Sequence, residues 1–245
     1  MVLVVLYVLF LSSLFAVDTI EVQGDLQEIS EHEARGIASE MLSRKVLWFS
    51  TASIFSVPLN SLEQELESRY PALLSAKVQR HLPRKLSMLL QERESVVLWC
   101  QGEQYEECVV LDRTGKAFRE SREEDASILF LTGNDSATKA MIGDSVISSE
   151  KLSRILQAME EAEIVFRALA PGVSVHHIVT EEGRIEQVTT EGWSVIMDLN
   201  GNTSWQGTKL AAVLEDHIKQ ERRPHLEYID LQFGSQAYLR YRDSK

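Results

Sequence analysis

The stretch AKVQRHLPRKLSMLLQERE, residues 76–94, constrains the fold more than any other part of the sequence. Apolar and polar residues alternate along it in two runs, residues 76–81 and 86–92. Alternation with a period of two is typical of strands that have one buried and one solvated face. Pro83 lies between the runs, where it favours a turn because its ring fixes φ and removes the backbone donor. The stretch therefore predicts two strands that cover a core with one face.

The same alternation predicts which side chains are buried. Val78 and Leu86 are expected in the core, whereas Lys77 and Lys85 are expected on the solvated face. The basic residues do not predict a nucleic-acid partner, because the chain has 37 acidic and 25 basic residues and a net charge of −12. A chain of this charge repels phosphate backbones. The basic cluster is interpreted as a feature of the scaffold.

The residues before this stretch complete a small α/β unit. The alternating segment DTIEVQGD, which begins at Asp18, predicts a strand that stops at Gly24. Two helices are predicted from the capping-box pattern, in which Ser or Asn precedes Glu by three residues. These helices begin at Ser30 with Glu33 and at Asn60 with Glu63, and Pro71 ends the second. The predicted order over residues 18–94 is strand, helix, helix, strand, strand.

From residue 95 onward the pattern predicts a larger antiparallel β-sheet domain with two helices, so the fold class is α+β. Turn residues predict hairpins at Thr114-Gly115 and at Asn200-Gly201. Apolar residues on one helical stripe predict a helix at 149–169, and a second helix is predicted from Thr208 to about Lys219. The predicted domain limits are 1–17, 18–94 and 95–245.

The two cysteines, Cys100 and Cys108, flank a predicted hairpin. If the two cysteines face each other, the register also places apolar residues opposite one another: Trp99 with Val109, and Val97 with Leu111. A disulfide is compatible with an exported chain. A pair of small buried residues without a bond is the alternative.

The apolar run from Val2 to Val17 contains no charge and is interrupted only by Ser12 and Ser13. A membrane-spanning helix needs about 20 apolar residues, and a signal-peptide core about 7 to 15. Leu14 stands where a small residue is expected for cleavage after Ala16. We therefore expect residues 1–17 to form an uncleaved membrane anchor. A cleaved signal peptide is the alternative, and either reading places the rest of the chain outside the cytoplasm.

No motif in the sequence predicts catalysis. There is no glycine-rich phosphate loop after a strand, no nucleophile elbow, no His-Glu-x-x-His and no paired-cysteine zinc pattern. His176 and His177 are adjacent in a predicted strand, so their rings are expected on opposite faces and cannot share one metal ion. We predict no enzyme activity, no catalytic residue, no cofactor, no metal and no small-molecule substrate.

The chain resembles the bacterial cell-division proteins of the FtsQ/DivIB family. The predicted strand-helix-helix-strand-strand unit resembles their POTRA domain, and VQRHLPRKLSMLLQER is similar to the end of that domain. VVLDRTGKAF resembles the opening hairpin of their β domain. WSVIMDLNGNTSWQGTKLAAVLEDHI and YIDLQFGSQAYLRY are similar to its last segments. One departure is Gln232-Phe233, where family members usually have Arg-Tyr.

The resemblance implies a non-enzymatic, single-pass protein of the cytoplasmic (inner) membrane at the division septum. It implies a scaffold that links septal components outside the cytoplasm, notably small coiled-coil proteins of the FtsB and FtsL kind. The alternative is a POTRA-containing envelope protein of outer-membrane assembly or secretion.

The C-terminal segment EYIDLQFGSQAYLRY predicts a hairpin with a three-residue loop at 234–236. This register pairs Leu231 with Leu239 and Ile229 with Tyr241, which keeps apolar residues on one face. No proline blocks the last strand, and no residue after Lys245 covers its outer edge, so an added strand is expected there. By the resemblance, partner contact is expected at Phe233, Ser235, Tyr238 and Tyr241.

Overall fold

A computed structural model describes residues 1–10, 12–43, 53–101, 107–133, 139–181 and 183–242. The chain divides into two compact units, residues 1–94 and 95–245, which are described separately. Each unit has its own hydrophobic core. The first is a three-stranded sheet with helices, and the second is built on a nine-stranded sheet, so the chain is α+β as predicted.

The first unit has the predicted strand-helix-helix-strand-strand order after a short N-terminal helix. Its elements are α1 (Val2–Phe10), β1 (Thr19–Gln23), α2 (Glu31–Ser43), α3 (Leu59–Arg69), β2 (Leu73–His81) and β3 (Lys85–Glu92). The sheet order is β1-β3-β2, with β1 parallel and β2 antiparallel to β3. The third strand along the chain therefore lies in the middle, and β2 lies at an edge.

The core of this unit lies between the sheet and the two helices. The buried sheet residues are Val22, Leu73, Ala76, Val78, Leu86, Met88 and Leu90. The helices contribute Ala34, Ile37 and Ala38 from α2 and Leu62 and Leu66 from α3. The predicted faces of β2 and β3 are thus confirmed, because Val78 and Leu86 are buried while Lys77 and Lys85 are exposed.

The two helices begin differently from each other. Ser30 and Glu33 form the predicted capping box: the Glu33 N–H donates to Ser30 Oγ at 3.2 Å, and the Ser30 N–H donates to Glu33 Oε2 at 3.1 Å. The second predicted box is wrong. α3 begins one residue before Asn60. The carboxylate of Glu63 accepts a hydrogen bond from the backbone of β2 instead.

The N-terminal segment contacts the first unit. Phe15 packs against its core and lies 5.2 Å from the Phe55 ring, and Ala16 pairs with Ser53 as an isolated bridge. α1 has nine residues, and Leu11 is outside the described residues. Within the described part of the chain, no helix combines the length and apolar character needed to cross a membrane.

The described residues of the second unit form nine strands and two α-helices. In chain order the elements are β4 (Val97–Gln101), β5 (Glu107–Leu111), β6 (Ala117–Glu120), β7 (Leu129–Gly133), α4 (Ser149–Leu169), β8 (Val175–Glu181), β9 (Arg184–Thr189), β10 (Ser194–Asp198), α5 (Thr203–Asp216), β11 (Leu226–Asp230) and β12 (Tyr238–Tyr241). The sheet order is β12-β11-β10-β9-β8-β7-β4-β5-β6. The last strand of the chain therefore forms one edge.

The sheet is mixed, which corrects the prediction of an antiparallel domain. β4 is parallel to β7, β7 to β8, and β10 to β11. Parallel neighbours need a crossover connection, and helices α4 and α5 provide two of them. Asn200-Gly201 is accordingly not a hairpin turn. Asn202 caps α5 by accepting from the Trp205 N–H at 2.9 Å, so this helix begins at Thr203 rather than Thr208.

The core of the second unit contains side chains of one sheet face together with α4 and α5. Trp193 and Phe166 are fully buried at its centre, with ring centroids 5.5 Å apart in an edge-to-face arrangement. The predicted stripe of α4 is buried at Leu152, Ile155 and Phe166, as expected for an amphipathic helix.

Cys100 and Cys108 are joined by a disulfide, with their Cα atoms 4.1 Å apart. The hairpin register is the predicted one, with Trp99 opposite Val109 and Val97 opposite Leu111. Of the two alternatives drawn from the sequence, the structure therefore has the bonded pair.

We predict that Leu86→Ala lowers the free energy of unfolding by about 2 to 5 kcal/mol, because this fully buried side chain would leave a cavity. The control is Lys77→Ala on the exposed face of β2, which should change it by less than about 0.5 kcal/mol. Chemical denaturation of both variants checks the faces. Equally small effects from both substitutions would show that the faces are assigned wrongly.

Candidate partner-binding edge

β12 is the edge strand next to β11, and no strand among the described residues pairs with its outer side. The Arg242 N–H donates to His225 O at 2.8 Å across the β11 side. Backbone groups of an antiparallel strand alternate in direction, so Leu239 and Tyr241 direct their N–H groups away from β11. These outward groups are the donors that an added strand would use.

The register of the last hairpin differs from the prediction. Ile229 lies opposite Leu239 and Asp230 opposite Tyr238, two positions away from the predicted pairing. A shift of two keeps each side chain on the predicted face, because the period of a strand is two. The connection is residues 231–237 rather than a three-residue loop, since contacts with α5 hold an extended segment in place.

The side chain of Lys209, on α5, holds the connection at residues 231–237 in place. Its side chain is buried, and the ammonium donates to the backbone oxygen of Leu231 and to that of Gln236, the latter at 3.4 Å. Burial lowers the pKa of Lys209, and the carboxylate of Asp230 acts in the opposite direction. A charged donor on a carbonyl forms a stronger hydrogen bond than a neutral one. Lys209 therefore fixes both ends of the loop that leads into β12.

Two further contacts fix the loop and the end of β12. The indole N–H of Trp205 donates to Gly234 O at 3.2 Å, although the Trp205 side chain is itself exposed. The Arg242 guanidinium donates to the carbonyl of Gly192 in the turn between β9 and β10. β12 is therefore held at both ends by side chains while its outer edge stays uncovered in the described part of the unit.

Phe233 and Tyr238, two of the predicted contact residues, come together on the surface. Their rings are edge to face with centroids 5.2 Å apart, and both side chains are about half exposed, at 53% and 50%. Exposed aromatic residues next to an open strand edge are typical of contact sites, because they contribute a large apolar area at a small entropy cost.

Ser235 and Tyr241, the other two predicted residues, lie apart from that pair. Ser235 lines a shallow depression beside α5, together with Ala212, Val213, His217, Ala237 and Leu239. Tyr241 is half-buried on the helix side, where the Arg222 guanidinium stacks 5.4 Å from its ring centroid. The four residues thus surround the edge strand from both faces of the sheet.

Charged side chains around the edge are mostly paired with each other. Arg240 forms an exposed ion pair with Glu227 at 2.9 Å. The Asp230 carboxylate accepts a hydrogen bond from the Gln232 N–H at 3.0 Å. Gln232 is therefore held by its backbone next to an acidic group. This surface can therefore bind a partner mainly through apolar contacts and backbone hydrogen bonds rather than through charge.

The described residues contain no group of three or more His, Cys, Asp or Glu side chains that could hold a metal ion. His177 has a structural environment: its Nε2 lies 2.9 Å from Thr132 Oγ1, and its ring packs edge to face on Phe130. Burial lowers the pKa of His177. His176 is exposed on the other side of the strand, so the two rings are separated as predicted.

Sequence reasoning missed the roles of Lys209 and Trp205. Both lie on α5. The sequence does indicate that Lys209 is buried, because it lies with Leu210, Val213 and Leu214 on the apolar stripe of an amphipathic helix. A lysine at a core position requires a buried acceptor. Nothing in the sequence identifies that acceptor, because it is a backbone carbonyl.

Comparison with known protein families gives a match in the first unit. Residues 15–93 match the family described as POTRA domain, FtsQ-type. The chain carries an FtsQ-type POTRA domain. The match supports the resemblance of these residues to the FtsQ/DivIB family. It begins at Phe15, the residue that packs against the POTRA core. No curated protein matches the chain.

We predict that Lys209→Met loosens the loop at residues 231–237. The variant leaves the Leu231 carbonyl without its donor, and loss of a charged hydrogen bond costs about 1 to 3 kcal/mol. Amide exchange at Gln236, whose N–H donates to Phe233 O at 2.8 Å, should become faster. Lys219→Met, at an exposed position, is the control. Identical exchange in the two variants would contradict the assigned role of Lys209.

Proposed function

We propose that this protein is a non-enzymatic scaffold of septum assembly in bacterial cell division, and that it captures its partner by strand addition at β12. The FtsQ-type POTRA domain supports a division-related scaffold. The observation that carries the binding mechanism is the open outer side of β12, held in place at both ends by Lys209 and Arg242.

An added strand would pair first with the outward backbone groups of Leu239 and Tyr241. Main-chain hydrogen bonds supply affinity in this mode of recognition, and side-chain contacts on the two faces supply specificity. On one face the partner would meet Tyr238 and Arg240. On the other face it would meet Leu239 and the depression beside Ser235.

Strand addition at this edge carries a small conformational cost for the receiving protein. β12 is already extended and paired on one side with β11, and its loop is fixed by Lys209, so the partner alone must become ordered. The exposed Phe233–Tyr238 pair lies next to the edge, where it provides the apolar contact at the centre of the interface.

By the resemblance, the partner is a small coiled-coil division protein of the FtsB or FtsL kind. The apolar segment at residues 1–17 would anchor the chain in the cytoplasmic membrane as a single pass, with both units outside the cytoplasm. The scaffold would then join septal components by protein contacts, without nucleic acid or a small-molecule substrate. The acidic net charge of −12 agrees with that exclusion.

We predict that Tyr238→Lys lowers capture of the coiled-coil partner at least tenfold in co-purification. The substitution breaks the ring contact with Phe233 and adds an unpaired charge beside the open edge, where an incoming strand would remove it from water. The side chain is half exposed, so the fold should persist, which circular dichroism and thermal unfolding check.

The matched control is Ile164→Lys on α4 of the same unit. Its side chain is 53% exposed, close to the 50% of Tyr238, and the substitution adds the same charge away from the edge. This control should bind as wild type. If folded Tyr238→Lys recovers the partner at the yield of Ile164→Lys, the proposed edge is wrong.

A further inference from the structure

The edge strand of the POTRA sheet differs from β12 because side chains cover its backbone donors. The N–H of Val78 donates to Glu63 Oε1 at 2.8 Å, and the N–H of Ala76 donates to Glu67 Oε1 at 3.0 Å. Both carboxylates come from α3, which packs along β2 in the same unit. Two consecutive outward donors of β2 are therefore occupied from within the domain.

The spacing of the two glutamates matches the spacing of the two donors. Residues four apart on a helix are separated by about 6 Å along its axis. Outward donors two apart on a strand are separated by about 6.7 Å. α3 and β2 are antiparallel neighbours in sequence, so Glu63 reaches Val78 and Glu67 reaches Ala76 in the order that this geometry requires.

The start of β6, at the other end of the second sheet, is also covered, but by backbone. The Ala117 N–H donates to Asp144 O at 2.9 Å, and Ala117 O accepts from the Gly143 N–H at 2.7 Å. In β12, by contrast, no hydrogen bond of this kind covers the outward N–H groups of Leu239 and Tyr241 within the described residues. The outward donors of β2 and those of β12 therefore differ in whether the chain itself satisfies them.

We propose that Glu63 and Glu67 form an edge block, which keeps β2 from pairing with the β2 strand of a second copy of this chain. An unprotected strand edge can pair with any exposed strand nearby. The same strand in a second copy of the chain is always available for such pairing. This inference depends on contacts within the POTRA domain and stands whether or not β12 binds the proposed partner.

The excluded pairing has a favourable register once the block is removed. A two-fold axis at Val78 places Val78 of one copy opposite Val78 of the other, and Ala76 opposite Arg80. The outward backbone N–H and C=O groups of the two strands then face each other. On the solvated face it places Lys77 opposite Gln79, which avoids a like-charge pair. Such a pair of strands needs both donors that the glutamates now occupy.

The test compares self-association of the full chain by sedimentation velocity in wild type, in Glu63→Ala/Glu67→Ala, and in Glu63→Gln/Glu67→Gln. The alanine variant should dimerise at a concentration about tenfold lower than wild type or more, because two hydrogen-bond acceptors are lost from the edge. The glutamine variant keeps an acceptor oxygen at each position and should behave as wild type. Glu31→Ala/Glu65→Ala removes two charges from positions whose side chains bond Arg35 and Arg69 rather than β2, and is the control for net charge.

Amide exchange of wild type provides a second measurement that does not depend on how well the variants fold. The Ala76 and Val78 amides should be protected in wild type, and their exchange should become about tenfold faster in the alanine variant at a concentration where that variant is monomeric. Self-association of the alanine variant equal to that of Glu31→Ala/Glu65→Ala would overturn the proposal. Unprotected Ala76 and Val78 amides in wild type would overturn it as well.

Discussion

A sheet that does not close on itself leaves backbone N–H and C=O groups without partners along its outer strands, and each such group must find water, a side chain or another strand. Both units of this protein are arranged around that requirement. In the POTRA domain, α3 supplies carboxylates to the outward donors of β2. In the second unit, β12 keeps its outward donors uncovered within the described residues, while side chains hold its ends. An edge strand is thus closed when side chains of the chain accept from its outward N–H groups, and it is open when those groups have no such acceptor.

Near both edges, charged side chains form hydrogen bonds with backbone groups of loops. In the POTRA domain, Glu92 at the end of β3 accepts from three consecutive N–H groups, those of Gln27, Glu28 and Ile29, at 2.8 to 3.1 Å. In the second unit, Lys209 donates to two carbonyls of the loop before β12. Hydrogen bonds of this kind are stronger than neutral ones and leave no free charge in the interior. They therefore fix loops that lack regular secondary structure.

The sequence predicted what depends on local periodicity. The faces of β2 and β3 followed from alternation, and the Cys100–Cys108 register followed from pairing of apolar neighbours. The parallel neighbours of β7 were not predictable, because strand order depends on crossovers that periodicity does not record. The C-terminal register was missed by two residues because Lys209 and Trp205 hold the connecting loop through tertiary contacts. Of the four expected contact residues, Phe233 and Tyr238 meet, whereas Ser235 and Tyr241 lie on the other side.

Residue-resolved amide exchange with and without the coiled-coil partner tests the central claim, that a partner strand pairs with the open edge of β12, most directly. The Leu239 and Tyr241 amides, which point away from β11, should exchange freely in the isolated protein and become protected in the complex. The Ala76 and Val78 amides of β2 should be protected in both states, because Glu67 and Glu63 already hold them. A complex that forms while Leu239 and Tyr241 exchange at their unbound rates would contradict strand addition at β12.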